Sequence, residues 1–206
     1  MMDLISAHRR ALADALATVA PDQWRGESLC AGWTPAHVLA HQTMPFRMTT
    51  EEFMAGLQRA GGDFTTFSDE IAARDSELPP AEMISAMREN ADTPWSPPGG
   101  GLAGALSHDV IHGLDISWPL ALEYEIPERA MTQVLDSVTS QGSQTLFGFP
   151  LDGIRVTASD LGWSAGQGAK LTGHSRDLLP LLAGRRIPRE RFDGDGVARV
   201  WPVAAR

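Results

Sequence analysis

Leu102-Ala-Gly-Ala-Leu-Ser-His108-Asp-Val-Ile-His112-Gly-Leu-Asp115 is the stretch on which the reading of this chain turns. Its small and apolar residues, opened by a glycine-rich loop, predict a helix from Leu102 to about Ala121. At 100° per residue, His108, His112 and Asp115 fall within roughly 60° of arc on one face. Histidines at i and i+4 stand one above the other, which makes a bidentate grip for a transition metal. Gly104 and Ala105 share the sector and leave room there for an ion and a ligand. A third histidine from another helix would give three ligands and one open coordination position, the mark of a catalytic rather than a structural site.

That third histidine is available in Ala36-His37-Val38-Leu39-Ala40-His41. An isolated i,i+4 pair is ordinarily exposed or part of a hydrogen-bonded core. Here two pairs on two helices draw four of the chain's six histidines. Four histidines allow a closed four-coordinate site, a dinuclear site, or a three-histidine site with His37 as bystander. Asp115 has two readings, as an acceptor that orients a ligand histidine or as a group that binds a substrate amine or hydroxyl. Cys30, with Arg25 nearby but no histidine beside it in sequence, is read as structural. His8 and His174 are read as structural too. Gly162, Gly166 and Gly168 lack the lysine and strand-to-helix setting of a phosphate loop.

Composition narrows the function classes. The chain has 206 residues, 43% hydrophobic and 21% charged, and a net charge of −9. This is globular composition, and the acidic balance disfavours nucleic acid and anionic membranes as partners. No run approaches the about eighteen apolar residues of a membrane span, and the start has no signal-peptide pattern. The single cysteine excludes an internal disulfide and a cysteine-rich zinc module, and fits a reducing cytoplasm.

The remaining elements follow from periodicity and punctuation. Residues 3–19 predict an amphipathic helix through Leu4, Ile5, His8, Leu12 and Leu16. Thr34 is an N-cap and Pro35 a first helical residue for a second helix carrying His37 and His41. It is expected to reach about residue 58, kinked or divided at Pro45. A short helix is expected at 69–74, another from Pro80 to about 90, a loop over 93–101, and a helix from Pro127 to about 140. After Phe147 the character changes. Strands are expected at 153–158 and 169–172, a helix at 178–183, and a final turn and strand near 197–201. The division is a metal-binding helical bundle over 1–147 and a small α+β appendage over 148–206. The appendage is expected to shape or cover the pocket without supplying ligands, with Trp163 and Trp201 as its packing residues.

Several of these pieces carry a resemblance. Leu29-Cys-Ala-Gly-Trp33-Thr-Pro-Ala-His37-Val-Leu-Ala-His41 and His108-Asp-Val-Ile-His112-Gly-Leu-Asp115 resemble the second- and third-helix motifs of the DinB-like, mycothiol-dependent maleylpyruvate isomerase family. Ala158-Ser-Asp160-Leu-Gly-Trp163, Leu171-Thr-Gly173 and Gly194-Asp-Gly-Val197 are similar to pieces of its actinobacterial branch. The resemblance implies a mainly α fold, an up-down-down-up four-helix bundle with a long crossover between its second and third helices. It implies one divalent ion, usually zinc, on His41, His108 and His112. The family usually has Asp at the position of His37, and often Arg and Leu at those of Ala36 and Gln42. The appendage reads as shorter than the C-terminal domain of the isomerase proper, so maleylpyruvate is not carried over as substrate.

The expected function is thiol chemistry at a metal. Zinc and nickel both suit imidazole. A low-molecular-weight thiol, mycothiol by resemblance, would add as thiolate to a small electrophilic substrate, in transfer or in isomerisation. His37 is assigned as a proton shuttle, and Asp115 as the residue orienting a ligand or the thiol. The alternatives are a metal-dependent hydrolase and a non-catalytic metal-binding or stress-response protein.

Overall fold

The computed structural model describes residues 1–140, 149 and 151–201. The chain divides into two compact units, Met1–Pro127 and Glu128–Arg206. The first is helical throughout. Helix α1, Met2–Leu16, buries Leu4, Ile5, His8, Leu12 and Leu16 along one stripe. Helix α2, Pro35–Arg47, starts where expected, with Pro35 at its first turn and the Thr34 hydroxyl accepting from the His37 amide at 3.4 Å.

Pro45 does not divide this helix; α2 runs two residues past it to Arg47. A proline lacks one donor, but a second start signal decides where the next helix begins. Thr49 and Glu52 form a reciprocal capping box, with amide-to-side-chain distances of 3.2 and 2.8 Å. Helix α3, Thr50–Arg59, follows from it. Helix α4, Phe64–Asp75, is twice the expected length because Asp63 caps it, accepting from the Thr65 amide at 3.0 Å. Gly56 lets α3 lie against α4, since a Cβ there would stand 2.3 Å from the Phe67 ring. Helix α5 is Pro80–Glu89 and α6 is Gly101–Ser117. The stretch between α2 and α6, a long crossover by resemblance, therefore folds into short helices.

Helix α2 is central to this unit and packs against α4, α5 and α6, while α1 packs against α5 and α6. Leu12, Leu16, Val38, Leu39, Met83, Met87 and Ile116 form the core between them. Each such side chain contributes about 1.5–3 kcal/mol by leaving water. Arg47 pins α2 to α4 through Asp75 at 2.7 Å.

The second unit opens with α7, Glu128–Thr139. The sequence reading put this helix with the bundle; it packs on α8, Ser175–Leu182, and groups with the tail. The strands are β1 Ile154–Ala158, β2 Ser164–Gly166, β3 Ala169–Gly173 and β4 Phe192–Asp193. They make a mixed sheet of order β2-β1-β3-β4, with β1 and β3 parallel and the outer pairs antiparallel. Gly168, at φ +120°, brings the backbone so close to Gly153 that a Cβ would meet its carbonyl at 2.3 Å. The expected final strand is a helical turn, α9 at Val197–Val200. The pairing is made earlier, by Phe192 and Asp193, and Gly194 at φ +105° turns the chain out of the sheet. Trp163 donates to Asp136 of α7 at 2.7 Å, and Trp201 stacks on Phe192. Both tryptophans thus have packing partners within their own unit. Among the described residues no helix is long and apolar enough to cross a membrane.

Candidate metal centre

The side-by-side packing of α2 and α6 brings His41 opposite His108 and His112. The three imidazole centroids are 4.8–5.0 Å apart in every pairing. His41 Nε2 and His108 Nε2 are 3.1 Å apart, and one nitrogen from each of the three rings lies within 4.8 Å of the others. Two nitrogens on a tetrahedral ion, each about 2.0–2.1 Å from it, stand about 3.3 Å apart. The His41–His108 pair is close to that separation, and three neutral nitrogen donors suit zinc or nickel. The residues present therefore fit an ion.

The outer nitrogens are each held by a neighbour, as ligand histidines require. His112 Nδ1 meets Asp115 Oδ2 at 2.9 Å, and His108 Nδ1 meets Asp109 Oδ1 at 3.0 Å. A carboxylate can only accept, so both rings carry their proton on Nδ1 and keep the Nε2 lone pair. His41 Nδ1 meets the Ser68 hydroxyl at 2.9 Å. A hydroxyl can donate or accept, so Ser68 accommodates either tautomer of His41. Burial, together with the neighbouring His112 and His108, pulls His41 down from 6.5 to about 2. That ring is neutral at physiological pH, the form that binds metal.

Asp109 is itself fixed. It is almost fully buried and accepts from Arg9 Nε at 2.7 Å. Burial pushes its carboxyl up, but the hydrogen bond from His108 and the charge of Arg9 outweigh this and hold it below its ordinary value. Arg9, 1% exposed, also donates to the carbonyls of Asn90, Ala91 and Thr93. One guanidinium so ties α1, α6 and the loop after α5. That loop continues to Trp95, whose ring packs on His108 with centroids 5.2 Å apart. Trp33 packs similarly on His41 at 5.3 Å.

Beside His41 and His108 opens a cavity of about 280 Å³. Met44, Met48, Phe53, Phe64, Trp95 and Pro97 make up much of its wall.

The sequence candidates separate clearly. His41, His108, His112 and Asp115 come together. His37 does not join them; its Nδ1 pairs with the Thr34 hydroxyl at 2.7 Å. The space beside Gly104 is taken by Pro97, whose ring a Cβ there would meet at 3.3 Å. Cys30 has no histidine beside it in sequence, yet its Sγ lies 3.9 Å from His112 Nδ1 and donates to Asp115 Oδ2 at 3.0 Å. The partner is 82 residues away in sequence, so local reading had no access to it. His8 pairs with Tyr124, and His174 caps α8. Ser68, Asp109, Arg9 and Trp95 were not singled out. Of these only Asp109 adjoins a candidate ligand in sequence, and adjacency on a helix does not by itself predict a contact.

Comparison with known proteins gives a consistent result. Residues 5–93 match the model of the mycothiol maleylpyruvate isomerase N-terminal domain. The crystal structure of the mycothiol-dependent maleylpyruvate isomerase superposes with a TM-score of 0.60 at 17% identity, over 94% of this chain and 91% of that one. A histidine-to-alanine variant of that isomerase gives 0.61 at 16% identity, with the same coverage. These likenesses establish the fold. They also correct the expectation of a shortened tail, because the match spans nearly the whole of both chains. Among curated proteins none matches this chain. Over residues 5–93, which include α2 and His41, the chain is similar to the mycothiol maleylpyruvate isomerase N-terminal domain.

Proposed function

We propose that this protein is a metal-dependent enzyme that joins a low-molecular-weight thiol to a small electrophilic substrate, in transfer or in isomerisation by addition and elimination. The observation that carries the reading is the convergence of three imidazoles with their outer nitrogens held, two of which, His41 and His108, line a cavity. His41, His108 and His112 would hold the ion, zinc in the first instance. When bound, the ion would supply positive charge that favours the ionised form of a thiol at its open position. Asp115, Asp109 and Ser68 keep the three rings turned inward. Trp33 and Trp95 pack against the rings and limit water around them. In transfer, sulfur bonds to the electrophilic carbon, the displaced group leaves with its electron pair, and the thiol proton passes to solvent. In isomerisation the same carbon–sulfur bond forms and is later broken.

Mycothiol is the proposed thiol, supported by the family match and by the names of the solved relatives. The proposed setting is the cytoplasm, with a small-molecule thiol and electrophile as partners and neither nucleic acid nor membrane. The test is to incubate the zinc-loaded protein with mycothiol and a panel of electrophiles and follow thiol adducts and isomerised products by mass spectrometry. Thiol-dependent turnover is expected. Hydrolysis without thiol would replace the reading with metal-assisted hydrolysis. No turnover of any kind would leave a metal-binding protein.

A further inference from the structure

We propose that the cavity beside His41 and His108 takes an uncharged, largely apolar ligand about the size of two fused aromatic rings, and that such compounds are the electrophile class of this site. The inference rests on the thiol reading for its chemistry but not for its binding.

Size comes first. An apolar cavity of about 150 Å³ accepts benzene, and this one is about 280 Å³. Its wall is Met44, Met48, Phe53, Phe64, Trp95 and Pro97, with the hydroxyl-bearing residues Thr49, Thr50 and Ser96 among its other lining residues. Among the described residues, no Lys, Arg, Asp or Glu lines it. The arginine nearest in sequence, Arg47, is engaged by Asp75, by the Thr43 hydroxyl and by the Ala40 carbonyl. An ion on the three histidines could meet one carboxylate of a ligand. A second would lie among thioethers and aromatic rings with no cation opposite, and burying such a charge is strongly unfavourable.

The wall suits aromatic ligands in particular. Thioethers are polarizable and make favourable contacts with rings. Phe53 already meets Phe67 edge to face at 5.2 Å, and Phe64 stands 6.4 Å from each of them. Phe64 is also 43% exposed, an aromatic ring left in water beside the cavity. Among the described residues the cavity thus offers rings, sulfur and hydroxyls to its ligand, and no charged side chain beyond the histidine centre.

The test uses the full chain labelled at its methionine methyls, followed by NMR, both chelator-treated and zinc-loaded. The probes are 2-naphthol, neutral at pH 7, and phthalate, an aromatic dianion. The Met44 and Met48 signals are assigned with Met44→Leu and Met48→Leu. 2-Naphthol is expected to shift both signals saturably, with or without zinc. Phthalate at the same concentration should bind at least tenfold more weakly. Met48→Trp, which fills the cavity, should weaken 2-naphthol at least tenfold, and Thr49→Arg should narrow the gap between the probes. Equal binding of phthalate, or 2-naphthol that leaves both methyls unmoved, would overturn the proposal. The two readings fail separately. Naphthol binding without thiol turnover would remove the proposed function and leave the cavity assignment standing. Thiol turnover of dicarboxylic electrophiles without naphthol binding would do the reverse.

Discussion

On α6, His108 and His112 both turn toward α2, and each has a carboxylate on Nδ1, from Asp109 and Asp115. On α2 the same four-residue spacing gives a different result. His41 faces the α6 pair with Ser68 behind it, while His37 turns back to the Thr34 hydroxyl. Spacing puts two rings on one face in both helices. Whether a ring serves the site depends on what holds its outer nitrogen. A residue one turn inside the helix keeps its ring inward when a partner stands behind it. A residue in the first turn can be claimed by the N-cap side chain. The comparison therefore predicts that the α6 pair is indispensable, that its carboxylates matter next, and that His37 is dispensable.

The largest effect is expected at the ring itself. His112→Ala should abolish stoichiometric metal binding, whereas the natural chain is expected to bind one divalent ion per molecule. Elemental analysis after gel filtration checks this, and full occupancy in the variant would break the assignment of α6 as the main grip.

The carboxylates come next, and the two should differ. Asp115→Asn should lower metal affinity about 10–100-fold, the usual effect of losing a partner behind a ligand histidine, as read by chelator competition. Asp109→Asn should lower affinity similarly and also destabilise the fold, because Arg9 is left buried without its counter-charge. Breaking such a buried pair from one side costs about 3–5 kcal/mol. The Asp109 carboxyl lies below its ordinary value in the fold. The unfolded chain therefore takes up a proton first as the pH falls. The stability due to this group is fully present above about pH 4 and is lost as the pH drops toward the folded value. Urea melts between pH 3 and 7 should show this loss in the natural chain and a shallower one in Asp109→Asn. Parallel profiles would mean that Asp109 adds no pH-dependent stability.

How far the site could be read from sequence follows the same division. His41, His108, His112 and Asp115 were recoverable because helical periodicity is local, and Thr34-Pro35 marks where α2 begins. Asp109 stood in plain view beside His108, but an i+1 neighbour points elsewhere on an ideal helix and gave no reason to pair them. Ser68, Arg9 and Cys30 reach the site from other segments, and no local pattern joins them to it. The helices between α2 and α6 show a similar limit. Pro45 drew attention as a breaker, although the capping box Thr49–Glu52 sets the next start. In the tail, β1 and β3 were visible through their alternation. β2 and β4 are three and two residues long, too short for a period to register, and they owe their pairing to neighbouring strands.

The smallest effect is expected at His37, and it tests the comparison most directly. The His37→Ala variant removes the 2.7 Å contact with Thr34 Oγ1, a hydrogen bond contributing about 0.5–1.5 kcal/mol. Alanine offsets part of this through its higher helix propensity, by about 0.5 kcal/mol. The Thr34 hydroxyl still accepts from the backbone amide at position 37, which exists in either variant. Thermal stability should therefore move by less than about 1 kcal/mol, and one metal ion per chain should remain. A role as proton shuttle would then show only as an altered pH dependence of turnover at unchanged occupancy. If metal stoichiometry falls, His37 leaves Thr34 in the loaded protein and joins the other rings. The closed four-histidine and dinuclear arrangements would then displace the three-histidine centre, and the contrast between α2 and α6 would hold only for the metal-free chain.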